Sequence, residues 1–146
     1  MIDTRISIPI ALRIFLLGLL GLAIGSAANH AIYRFAWYSR PISPWGPAPE
    51  GAAARVLGDR IPLLGWLRLR RESEIHGSGF WIRPLMIEIA LAIGIPSFYW
   101  FLTQTGEVLP LAARTPAGIQ FYEPWLTTVF ASQTVLISLM VAATFI

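Results

Sequence analysis

Three long apolar stretches are separated by polar ones along this chain. Residues 8–33 carry one charge, Arg13; residues 84–102 carry one acid, Glu88; residues 125–146 carry none. An α-helix rises about 1.5 Å per residue and a bilayer's hydrocarbon core is about 30 Å thick, so roughly 20 apolar residues cross it. Each stretch meets that length, and Arg13 lies close enough to an end to reach the interface on its long stem. The pattern predicts an all-α polytopic membrane protein with a single membrane domain over 1–146. Its three spans are joined by a first loop (34–83) and a second loop (103–124).

Charge orients these elements. The first loop holds eight Arg (34, 40, 55, 60, 68, 70, 71 and 83) against four acids, whereas the second holds Arg114 against Glu107 and Glu123. Basic residues are retained on the cytoplasmic side, which predicts the first loop inside, the second outside and the N-terminus outside. Trp37, Trp81, Trp100 and Trp125 fall near span ends, where indole rings anchor at the interface. A signal peptide would also fit Arg5, Arg13, the apolar stretch from Ile14 and the small residues Ser26, Ala27 and Ala28. Cleavage there would export the Arg-rich segment against the charge bias, and the apolar stretch is longer than a usual signal core.

Composition agrees with the span count. Of 146 residues, 55% are hydrophobic and 13% charged, against about 25% charged in soluble domains. The net charge is +3, all of its basic residues being Arg, but these lie beside apolar spans and in no nucleic-acid-binding motif, so no nucleic-acid partner is implied. With no Cys, disulfides, thiolate metal sites and Cys nucleophiles are excluded. The loop opens with "RPISPWGPAPEGAAA", too rich in Pro for a helix. It continues with "IPLLGWLRLRR", whose Leu, Ile and Trp among Arg suit a segment on the cytoplasmic membrane surface, held there by anionic lipid.

On the first span, Gly18, Gly21, Gly25 and Asn29 recur at three- and four-residue intervals and share one helix face. Small residues let a second backbone approach in lipid, and Asn29 would then hydrogen-bond across the contact. The alternative is that Ser26, Asn29 and His30, at the cytoplasmic end, line a site. Glu88 is the other polar oddity. An ionisable group inside a span costs several kcal/mol unless it is paired or wetted, so it marks either function or an ion pair with Arg83 or Arg34.

Three short stretches, "GSAANHAIYR", "IPLLGWLRLR" and "RPLMIEIA", occur in that order around the first loop. Together they resemble the N-terminal part of the bacterial prepilin peptidases, over roughly residues 14–102. The resemblance implies an inner-membrane enzyme that cleaves the basic leader of type IV prepilins and type II secretion pseudopilins at the cytoplasmic face. Such enzymes then methylate the new N-terminus with S-adenosylmethionine. By the same resemblance, Glu88 is implied in substrate binding or methyl transfer, with Arg83, Asn29, Ser26, Gly25, Arg34, Trp66 and Arg70 as further candidates.

The departures matter as much. Cleavage in that family uses two aspartates, one ionised to activate water and one protonated to donate to the peptide. Here the only Asp residues are Asp3 and Asp59, and no GxGD occurs. No catalytic residue is therefore assigned, and this chain alone is expected to be inactive as a peptidase. The third span resembles the family helix that leads to the first catalytic aspartate, so a truncated product or fragment, lacking a C-terminal peptidase region, is the expectation. Many family members carry paired CxxC motifs suited to zinc; here "RRESEIHGSG" offers only Glu72, Glu74 and His76, and no zinc is expected. The rival expectation is a non-catalytic three-helix scaffold or assembly partner.

Overall fold

The computed structural model describes residues 8–35 and 42–145. Asp3, Arg5, Trp37 and Arg40 lie outside the described residues, and with them the proposed anchor at Trp37. Every regular element among the described residues is helical. In chain order they are α1 (Ile10–Phe35), the short α2 (Leu64–Leu69) and α3 (Ser73–His76), α4 (Ile82–Trp100) and α5 (Pro116–Phe145). Single 3₁₀ turns at Leu57–Arg60, Arg70–Glu72 and Leu111–Ala113 join them, and α4 widens into a π-turn over Phe101–Thr105. Three helices are long and apolar enough to cross a membrane: α1, α4 extended to Thr105, and α5.

The predicted spans hold, with one boundary far from its expected place. The third helix starts at Pro116 rather than near Trp125, which turns half of the second loop into helix. The start carries its own local signal. Thr115 Oγ1 accepts a hydrogen bond from the Gly118 N–H at 3.1 Å, and Pro116 follows in the first helical position, where its missing N–H does no harm. Pro124 then sits inside α5, where it leaves the Gln120 carbonyl without its usual partner. Hydropathy alone reads this amphiphilic first third as loop.

Helix α1 runs antiparallel to α4 through the glycine face. A Cβ on Gly21 would strike the Leu91 carbonyl and come 2.8 Å from the Ala92 Cα, and one on Gly25 would come 2.8 Å from the Glu88 Cα. Only glycine permits that approach. Ile87, Leu91, Ile95 and Tyr99 of α4 join Ile32 of α1 and Phe130 of α5 in the main apolar core. At the far end Arg13 is paired within the chain. Its Nη1 donates to Tyr99 Oη and to Glu123 Oε1, each at 3.0 Å, and so ties all three long helices together. The early start of α5 is what brings Glu123 opposite Arg13.

The first loop folds back onto the other end of the α1/α4 pair. Ile42, Trp66 and Leu69 form a second small core with Tyr33, Phe80, Trp81 and Leu85 packed on it. Its outward side is apolar too: Val56, Leu57, Ile61, Leu64 and Leu67 are exposed, Leu57 by 80%.

Candidate functional site at Glu88

Glu88 projects from the second turn of α4 into the junction of α1, α4 and the loop, and is 1% exposed. Three donors reach its carboxylate. Trp66 Nε1 of α2 donates to Oε1 at 2.9 Å, Asn29 Nδ2 of α1 to the same oxygen at 3.4 Å, and the backbone N–H of Leu63 to Oε2 at 2.6 Å. Asn29 Nδ2 also donates to the Pro84 carbonyl at 2.9 Å, the hydrogen bond across the helix contact that its place on the glycine face foretold. All three donors to Glu88 are uncharged. In place of the ion pair with Arg83 or Arg34 that was one of the two alternatives stands a cage of neutral dipoles, which lowers the cost of burying a carboxylate by supplying hydrogen bonds without a second buried charge.

Each cage member depends on local geometry. Gly25, one turn before Asn29, lets α1 come close enough for the amide to reach across to α4. Leu63 is held in a backbone conformation that side chains seldom adopt, φ 64° and ψ −58°, and the Leu64 N–H bonds the Pro62 carbonyl at 2.8 Å. That combination is the rare, strained form of γ-turn. Strain of this kind, on the order of 1–3 kcal/mol, persists only where surrounding contacts impose it. Here it turns the Leu63 N–H away from the helix that starts at Leu64 and toward Glu88. Nothing in the sequence announces it, because leucine carries no preference for positive φ. The Leu63 N–H and the Pro84 carbonyl are the site atoms that reading by residue type misses.

The remaining candidates divide. Ser26 Oγ accepts from Trp45 Nε1 at 3.4 Å and so pins the Pro-rich part of the loop to α1. The Arg83 guanidinium lies over the Tyr33 ring at 5.5 Å, and that of Arg70 over Trp81 at 5.8 Å. Cation–π contacts of this sort are worth about 0.5–1 kcal/mol at exposed sites. Arg34 is exposed at the end of α1 and takes no part in the cage; His30 is exposed as well. The structure thus gathers Gly25, Asn29, Trp66 and Glu88 into one site and leaves Ser26, Arg34, Arg70 and Arg83 around its rim.

A second buried carboxylate organises the loop itself. Asp59 is 0% exposed. Its Oδ2 accepts from the Val56 N–H at 2.9 Å and from Arg71 Nη2 at 2.7 Å, while Arg68 Nε stands 3.0 Å from Oδ1. Burial acts most strongly on this carboxyl and pushes its pKa up. The Val56 N–H and then the Arg71 and Arg68 guanidinium groups together outweigh it, leaving the group below the usual carboxylate range. Glu72 is buried too, forked by Arg55 and 3.4 Å from His76 Nε2. Among the described residues no three His, Asp or Glu side chains are grouped to hold a metal ion.

The cavities nearest the loop end are hydrocarbon-lined. One of about 540 Å³ runs between α4 and α5, with Arg83 at its mouth, and one of about 820 Å³ lies along α1 and α4 beneath Leu63. A polar cavity of about 420 Å³ sits at the opposite end, around Arg13, Gln104, Gln120 and Glu123. The Glu88 carboxylate itself already holds three donors. No family model, curated protein or solved structure matches the chain.

Proposed function

We propose that this chain is the N-terminal membrane module of a prepilin leader peptidase and N-methyltransferase. It would lie in a bacterial inner membrane with its N-terminus outside and the Arg-rich loop in the cytoplasm. One observation carries the reading: the three stretches that resemble the family, separated in sequence by a long loop, meet at a single carboxylate. "GSAANHAIYR" contributes Gly25 and Asn29, "IPLLGWLRLR" contributes Leu63 and Trp66, and "RPLMIEIA" contributes Glu88. In this proposal the chain's task is to receive type IV prepilins or type II secretion pseudopilins at the membrane surface. The cage fixes the α1/α4/loop junction, and the exposed apolar rim of the loop lies on lipid beside it. The aspartate pair that the resemblance implies for cleavage is absent from this sequence.

A second reading, a non-catalytic three-helix scaffold, is favoured by the depth of Glu88, whose carboxylate is spent on internal bonds. One experiment separates the two. The chain is reconstituted in nanodiscs and titrated with a fluorescent peptide comprising a basic prepilin leader and the start of its apolar helix. Saturable binding that a leaderless peptide lacks, and that Trp66→Phe weakens while helix content is kept, supports the prepilin reading. Equal binding of a scrambled leader overturns it and leaves the scaffold.

A further inference from the structure

The first loop reaches further down the helices than a segment resting on a membrane surface would. Hydropathy ends the first span at Tyr33 and begins the second at Pro84. Yet Trp45 Nε1 donates to Ser26 Oγ, seven residues inside the first of these limits, and the Leu63 N–H donates to Glu88, four residues inside the second. At about 1.5 Å per residue, those contacts lie about 10 Å and about 6 Å within the spans. The Leu63 side chain lines an apolar groove together with Gly18, Leu22 and Ala92, and Leu22 and Ala92 stand near the midpoints of their helices.

Two kinds of side chain travel with the loop to that depth. Val56, Leu57, Ile61, Leu64 and Leu67 are apolar and exposed. Among them Arg60 is exposed, and Arg68, with half of its side chain exposed, stands 3.0 Å from Asp59 Oδ1. The two sets are tightly joined, because a Cβ on Gly65 would strike the Asp59 carbonyl. The apolar set favours hydrocarbon and the guanidinium groups favour lipid phosphates, so the segment belongs where acyl chains meet headgroups. Its bonds to Ser26 and Glu88 hold it in place, and the boundary comes down to it.

The partly exposed Arg13–Glu123 pair, with Tyr99, marks the opposite boundary. Arg13 and Ser26 are thirteen residues apart on α1, about 20 Å, and Glu88 and Tyr99 eleven apart on α4, about 16 Å. A hydrocarbon core is usually about 30 Å thick, which the uncharged residues 125–145 of α5 match. We infer that residues 56–67 are embedded in the loop-side leaflet, with Leu57, Ile61, Leu64 and Leu67 among lipid acyl chains. The bilayer is drawn about 10 Å thinner along this α1/α4 face than along α5, since a bilayer yields readily to mismatch whereas a guanidinium held in hydrocarbon is costly. The inference rests on neither the prepilin reading nor the orientation of the chain, because it uses only where the loop meets the helices.

The test exploits the absence of Cys from the sequence. A bimane fluorophore is attached to single variants in vesicles of phosphatidylethanolamine and phosphatidylglycerol, and is quenched either by lipids brominated at mid-chain or by iodide in the water. Leu139→Cys, exposed on α5, and Glu74→Cys, exposed on the loop, are the lipid and water references. Lipid quenching at Leu64→Cys should come within about twofold of that at Leu139→Cys and exceed that at Glu74→Cys at least about fivefold. Leu57→Cys, at a side chain 80% exposed, should behave alike without disturbing α2. His30→Cys, exposed one turn beyond Ser26 toward the loop end of α1, should be quenched by iodide at least about threefold more than Leu139→Cys, because the thinned boundary leaves it outside the hydrocarbon. Iodide quenching at positions 57 and 64 would place the segment on the surface, and quenching there by neither agent would mean a polypeptide cover. Either result overturns the inference, as does lipid quenching at His30→Cys equal to that at Leu139→Cys.

Discussion

Helix α4 has two faces marked by small residues, one where the glycines of α1 pack on it and one bearing its own Ala90 and Gly94, and they have opposite fates. On one, Gly21 and Gly25 of α1 press backbone against backbone, and the contact is locked by the Asn29 bond to Pro84. On the other, Ala90 and Gly94 present the same spacing to an empty groove, with Thr134 unsatisfied across from them. Small residues therefore permit close approach but do not cause it. In lipid, where apolar burial gives no net drive between helices, a seam closes when packing and polar contacts can be made together. The first face has Asn29, Trp66 and the Leu63 N–H converging on Glu88; the second has Thr134, whose Oγ1 makes no hydrogen bond among the described residues.

The sharpest way to break this comparison is to make both faces bulky. Gly21→Leu would drive a side chain into the α4 backbone and should cost about 3 kcal/mol or more, read as loss of resistance to denaturation in mixed micelles. Glu88→Leu comes next. It strands the Trp66, Asn29 and Leu63 donors in a buried site, a loss on the order of 2–4 kcal/mol, and intrinsic fluorescence should show Trp66 leaving its buried position. Glu88→Gln should fall short of that, because the amide oxygen can still accept from Trp66 while its NH₂ faces the Leu63 N–H.

The loop provides a pH-dependent contrast with the cage. The Asp59 pKa is lower folded than unfolded, so its contribution is complete above the unfolded value of about 4. It is lost as pH falls through the lower folded value. Acid titration should therefore loosen the loop below the ordinary carboxylate range, with Trp66 and Trp81 fluorescence as the readout, and Asp59→Asn should remove that transition. The smallest effect is expected at Gly94→Leu, which should leave the isolated chain's stability within about 0.5 kcal/mol. Set against Gly21→Leu, that pair of identical substitutions tests directly which face is closed.

Much of this arrangement was legible before any coordinates. Hydropathy found three spans, and helical spacing found the Gly18, Gly21, Gly25 and Asn29 face; the resemblance picked out Trp66 and Glu88. The failures have physical causes. The start of α5 was missed because Thr115 and Pro116 signal a helix through capping, whereas the spans were traced by apolar runs. The Arg13 partner was missed because Glu123 is 110 residues away. The donors to Glu88 were not foreseen, because uncharged Trp66 and Asn29 and a backbone N–H are brought to it only by the folding of the loop onto α1 and α4.

What the sequence determined by itself is what depends on solvent and period: the number of spans, the face on which small residues gather, and the residues whose polarity is out of place in lipid. What the tertiary structure decided is direction. A γ-turn at Leu63 brings the loop back onto α4, so Glu88 is satisfied by neutral dipoles, and α5 leans away, so one glycine seam closes while the other stays open. Residue spacing sets what can touch, and only the simultaneous placement of all three helices and the loop sets what does.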